Sequence, residues 1–322
     1  MDRKQLRKAL GVAGWTALIY NLIMMVCVVV TMIAEMIIGM MAALNADGFD
    51  YGSIMGAAMA AASSAWGYFV SAAVGIIILL AWKKPRYWNE EIWKKGKPMK
   101  AGAFWGILAV FLSAQFLYQL YTISLEVTLN GMGLTMMEGL EAMSAGSDSF
   151  SMFLYMGLLA PVTEELLFRG LIQRTLMPYG KKIAILGSAF LFGMMHGNIL
   201  QTPFAFLVGL VLGYVASEYS IAWAMVLHMI NNLVLGDMLT RLTSGMGETG
   251  AALVIWGILI ISVIGAIVTL IRKRREIRAW SHGNAMGPTY VRCFFSSAGV
   301  ITFTVVMVIS TIATCFALIT PL

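Results

Sequence analysis

The chain has 322 residues, 60% of them hydrophobic and only 12% charged, with a mean hydropathy of +0.82. Soluble domains carry about a quarter charged residues, so one large soluble core is excluded for want of charged covering helices. The net charge of +6 lies in short loops beside apolar stretches and not along a stripe, which reads as membrane topology and excludes a nucleic-acid partner. The first eight residues are basic and precede an apolar run from about Val12 to Leu44. That run is too long for a signal-peptide core and has no clear cleavage site, so it reads as a retained first span. Nine candidate spans follow in order at 17–42, 57–82, 103–129, 151–176, 183–200, 203–217, 221–239, 251–271 and 296–319. The 203–217 span is the weakest, being short and beside Pro203. The expectation is an all-α polytopic bundle of eight or nine transmembrane helices.

With a cytoplasmic N-terminus, 21 of the 22 Lys and Arg residues fall inside, at 1–8, 83–100, 169–182 and 272–292, leaving only Arg241 outside. The putative external loops 45–56 and 130–150 hold Asp47, Asp50, Glu138, Glu141 and Asp148 and no Lys or Arg. The positive-inside rule therefore favours a multi-pass cell-membrane protein, N-terminus in and C-terminus out. Trp82, Trp88, Trp93 and Trp280 near the inner boundaries fit an aromatic belt. The run Arg272–Arg275 with Arg278 reads as a topological anchor more than as an anionic-lipid site. Cys27, Cys293 and Cys315 show neither a disulfide framework nor metal spacing. No internal repeat is evident. Three regions are expected: helices 1–150 of unassigned role, a core at 151–240, and helices 241–322 with a basic cytoplasmic loop.

Ionisable residues at membrane depth are costly and usually functional. Two of the three histidines, His196 and His228, two adjacent carboxylates, Glu164 and Glu165, and Asn231 with Asn232 all lie between 164 and 232. In the helix around Pro161, Glu165 and Arg169 are four residues apart and can pair, which offsets the burial of either charge. Glu164 points about 100° away, toward the Phe168 side, with no local cation, so it is free to face a cavity and act as a general base. Phe192 and His196 share a stripe at i,i+4, and Gly193 and Gly197 let another helix approach closely. His228 and Asn232 share a face, where they could stabilise an oxyanion or simply glue helices together.

Glu-Glu-x-x-x-Arg, then Phe-x-x-x-His, then His-x-x-x-Asn on successive membrane helices resembles the CAAX-protease and bacteriocin-processing family of intramembrane peptidases, over roughly residues 150–240. The resemblance implies that Glu164 and His196 activate water, that His228 and Asn232 stabilise the tetrahedral intermediate, and that Glu165 with Arg169 braces the site. The substrate it implies is a membrane-associated peptide or protein, prenylated for eukaryotic relatives; bacterial relatives are linked to bacteriocin immunity or peptide maturation. Two histidines and one glutamate are also a familiar catalytic zinc set, which would make Glu164, His196 and His228 ligands. No His-Glu-x-x-His helix is present, so those ligands would have to converge from three helices, and metal-free action is favoured. The competing readings are a non-catalytic immunity or scaffold protein that keeps the fold, and a transporter, which few charged residues in the other spans support.

Overall fold

The computed structural model describes residues 3–47, 50–62, 64–144, 149–233 and 239–322. Asp148 and the stretch 234–238 of the expected seventh span lie outside the described residues, as do the side chains of Asp47 and Arg241. The chain is a bundle of helices: α1 (Arg3–Asp47), α2 (Tyr51–Ala62), α3 (Trp66–Trp82), α4 (Ala101–Asn130), α5 (Phe150–Tyr179), α6 (Lys181–Met195), α7 (Gln201–Glu218), α8 (Ile221–Leu233), α9 (Gly247–Arg272), α10 (Arg274–Gly283), α11 (Pro288–Phe295) and α12 (Ala298–Leu318). An antiparallel pairing joins Leu134–Thr135 to Thr320–Pro321.

Among the described residues six helices are long and apolar enough to cross a membrane: α1, α2 with α3, α4, α5, α9 and α12. The spans drawn at 183–200, 203–217 and 221–239 fall on α6, α7 and α8, which are shorter than the helices counted by length and composition. At 1.5 Å per residue α6 reaches only about 22 Å, short of a ~30 Å hydrocarbon layer. These three helices carry much of the buried core. α6 packs on α7, α7 on α4 and α8, and α1 gathers α2, α3 and α12.

The long helices turn bulky apolar residues outward, among them Val26, Val30 and Ile38 of α1, Leu253 and Ile261 of α9, and Ile309 and Phe316 of α12. So much exposed apolar surface is stable against lipid and not against water. The protein is therefore a membrane protein.

The two ends of the bundle differ. One end collects the N-terminus of α1, the 83–100 loop, the α5–α6 turn, Glu218, α10 and α11, tied by Lys97 and Lys181 to Glu218 and by Lys182 to Ser281. The C-terminus pairs with the 134–135 segment at the far end, after α12 has run the length of the bundle. N- and C-termini thus lie on opposite ends of the bundle. One basic residue does not belong in the loop count: Arg169 is buried inside the bundle, 1% exposed. Trp88 likewise packs into the core, donating to the Leu80 carbonyl, while Trp82 and Trp93 stay half-exposed.

Candidate active site

α5 carries both glutamates and is wound unevenly. After Glu165 it widens into π-helical turns from Leu166 to Gln173, with a second widened stretch at Tyr155–Leu159. Such turns are uncommon and tend to mark functional sites, because they shift side chains off the ordinary helical phase. Arg169 nevertheless reaches back one turn, and its Nη1 donates to Glu165 Oε1 at 2.8 Å. Both side chains are fully buried. The Arg169 Nη2 donates to the Gly209 carbonyl of α7 at 3.2 Å, and the guanidinium lies over the Phe192 ring, 4.4 Å from its centre. Glycine at 209 matters here, since a Cβ would stand 3.1 Å from the Phe192 ring. Glu165 Oε2 and Arg169 Nε are buried with no hydrogen-bond partner among the described residues.

His228 of α8 completes this cluster. Its Nδ1 is 3.0 Å from the same Glu165 Oε1, and its Nε2 is 3.7 Å from Glu164 Oε2. An ionised carboxylate only accepts, so this contact places the ring proton on Nδ1 and turns Nε2 toward Glu164. Glu164 differs from its neighbour as the helical phase requires: among the described residues no Lys or Arg is paired with it, and its side chain is 21% exposed where Glu165 is closed off.

His196 stands at the C-terminal end of α6, one residue past the helix. Its Nδ1–H donates to the Phe192 carbonyl at 3.0 Å, leaving Nε2 as the nitrogen for the site. The Phe192 ring meets the rings of His196 and His228 edge-on, at 5.1 and 5.7 Å. Both glycines flanking His196 act as close-approach points: Gly193 abuts Thr202 and Phe206 of α7, and Gly197, at φ +59°, abuts Ser310 of α12.

Asn232 lies where α8 also widens, and its hydrogen bonds go to protein groups. Its amide donates to the Met156 carbonyl at 2.8 Å, and its Oδ1 accepts from Asn231. Asn231 in turn accepts from Gln115 of α4 at 2.9 Å. Glu164, Glu165, Arg169 and His228 are thus in direct contact or close to it. Phe192 and His196 adjoin them through the aromatic ring, and Asn232 is held through α4 and α5.

Two residues outside the motifs join this neighbourhood. Tyr20 of α1 and Tyr155 of α5 are close enough to Glu164 to interact with its charge. Tyr20 is 5% exposed, and its hydroxyl occupies the space that a side chain at Gly75 would fill. Neither tyrosine nor Gln115 stands at a spacing that single-sequence reasoning can use.

Among the described residues no three His, Cys, Asp or Glu side chains form a group that could hold a metal ion.

Residues 146–234 match the family model of type II CAAX prenyl endopeptidase Rce1-like proteins. The match takes in α5 to α8 and leaves α1 to α4 and everything after α8 uncovered. No curated protein and no solved structure matches the chain.

Proposed function

We propose that this chain, which matches the Rce1-like CAAX endopeptidase family model over 146–234, is an intramembrane endopeptidase that hydrolyses a peptide bond in a membrane-associated or lipidated peptide. One observation carries the reading: Arg169, Glu165, His228 and Glu164 form a continuous chain of contacts of 2.8, 3.0 and 3.7 Å that ends on a partly accessible carboxylate.

In the proposed reaction Glu164 removes a proton from water, with His196 Nε2 as the second acceptor holding that water. The hydroxide oxygen bonds to the peptide carbonyl carbon, and the C–O π electrons move to oxygen. His228, as the imidazolium, donates from Nε2 to this oxyanion, and the Asn232 amide adds a second donor. Glu165 accepts from Nδ1–H and fixes the ring, much as a carboxylate orients the histidine of a hydrolytic triad. Collapse breaks the C–N bond, and the proton held on Glu164 passes to the leaving amine. General-base catalysis contributes about 10²–10⁴-fold and oxyanion donors about 10²–10³-fold, together enough for a useful rate.

The test is cleavage of a lipidated peptide in proteoliposomes by the parent, Glu164→Gln and His196→Ala. Loss of at least a hundredfold in both is expected. If both variants cut as well as the parent, the reading fails. A non-catalytic protein of the same fold would instead keep partner binding in both variants and show no turnover in the parent.

A further inference from the structure

We propose that Tyr121 of α4 and Thr314 of α12 are positioning residues whose hydroxyls set where His196 stands. The proposal rests on the role given to His196 above. Of Glu164, His196 and His228, only His196 lies beyond the end of its helix. The last turn of α6 holds its ring through the Phe192 carbonyl. Its backbone, however, opens the 196–200 connection that leads into α7. Whatever fixes that connection also fixes His196 Nε2 relative to Glu164.

A connection packed inside a bundle must find donors for its carbonyls. Two of the four carbonyls from 196 to 199 find them locally. The His196 carbonyl accepts from Asn198 Nδ2 at 3.4 Å, and the Asn198 carbonyl from the Thr202 amide at 3.1 Å. Side chains of distant helices supply the other two. The Tyr121 hydroxyl donates to the Ile199 carbonyl at 3.1 Å, and the Thr314 hydroxyl donates to the Gly197 carbonyl at 2.7 Å. Thr314 also lies 2.6 Å from the Ser310 carbonyl one turn back, the usual partner of a helical threonine. Its proton is thus shared with an acceptor outside its own helix. Glycine at 197 permits this approach: a Cβ there would stand 2.8 Å from Ser310 Oγ.

The two helices that supply these hydroxyls are themselves joined. Past their ends Leu134–Thr135 pairs with Thr320–Pro321, and the Leu322 amide donates to the Gly133 carbonyl at 3.0 Å. Ile199 and Leu200 pack into the apolar cluster at this junction, with Leu129, Met136 and Ile319. One frame therefore grips the connection from both sides. Apolar contacts alone could hold α4 and α12 in the bundle, yet their hydroxyls meet a connection that begins with a site residue. Tyr121 and Thr314 both lie outside residues 146–234, and neither stands in a motif.

The test compares the full chain with Thr314→Val, Thr314→Ser, Tyr121→Phe and Thr311→Val in proteoliposomes. Lipidated-peptide cleavage, thermal melting and amide hydrogen exchange at 196–200 are read together. The Thr311 hydroxyl donates to the Met307 carbonyl of its own helix, so Thr311→Val is the control. Thr314→Val and Tyr121→Phe are each expected to lower kcat about tenfold, with KM within about twofold and faster exchange at 196–200. Thr314→Ser is expected to restore both, and Thr311→Val to change neither. Unchanged kcat in Thr314→Val and Tyr121→Phe, no rescue by Thr314→Ser, or an equal loss in Thr311→Val would each overturn the proposal. His196→Ala separates the two levels. A parental rate in His196→Ala defeats the peptidase reading and this proposal with it, whereas a large loss there beside unchanged hydroxyl variants defeats this proposal alone.

Discussion

Glu164 and Glu165 are neighbours in sequence and opposites in environment. Glu165 is closed off and bonded to Arg169 and His228, so Glu165→Gln leaves a buried guanidinium short of its counter-ion. Breaking such a pair costs about 3–5 kcal/mol, and a clear fall in Tm in detergent is expected. The paired change Glu165→Leu with Arg169→Met removes both charges and should unfold at a higher temperature than either single variant. Glu164→Gln removes no buried ion pair. It is expected to retain Tm while cleavage falls by about 10²–10⁴-fold, which separates the general base from the brace. Tyr20→Phe deletes one hydroxyl beside Glu164. A fall of about tenfold in kcat with Tm within a degree or two is expected if the phenol positions that carboxylate; an unchanged kcat would make Tyr20 a packing residue.

At the scale of elements, the site depends on helices that approach closely and on turns that depart from ideal α geometry. α6 and α7 touch at Gly193 and Gly209, and a Cβ on Gly193 would lie 2.9 Å from the Thr202 carbonyl. Gly193→Val is therefore expected to push the helices apart, costing about 1–3 kcal/mol by thermal melt and displacing His196. Cleavage should fall further than the loss of folded protein explains. α8 is short and widens at its end, so the i+4 relation of His228 to Asn232, drawn on an ideal helix, does not describe where Asn232 bonds. The longer widened stretch of α5 begins after Glu165, and the Glu165–Arg169 pair survives it.

Across the whole molecule, Glu218 ties together segments far apart in the chain. It accepts from Lys97 at 2.9 Å, Lys181 at 2.6 Å and Trp280 at 3.0 Å, joining the 83–100 loop, α6 and α10. Burial raises its pKa, but the donated hydrogen bonds outweigh that and hold it at about 2, below the usual 4.5. A carboxylate depressed on folding stabilises the fold above its unfolded pKa, and the contribution disappears as pH falls through the folded value. The Tm gap between parent and Glu218→Gln should thus be widest above pH 4.5 and close between 4.5 and 2. Screening at this exposed end limits the effect to about 1 kcal/mol.

The sequence alone determined what depends on local spacing and on transfer from water. Apolar runs and sparse charge made a membrane bundle unavoidable, the basic loops placed N- and C-termini on opposite ends, and helical phase paired Glu165 with Arg169. Those are properties of single segments, and a segment's own residues specify them. The tertiary structure decided what depends on several segments at once. It packed α6 to α8 into the core of the bundle and buried Arg169 beneath Phe192 and Gly209. It turned His228 onto both glutamates, and it brought Tyr20 and Gln115 to the site from helices without a motif. A contact between distant residues is set by how helices cross, and periodicity within one helix carries no record of that.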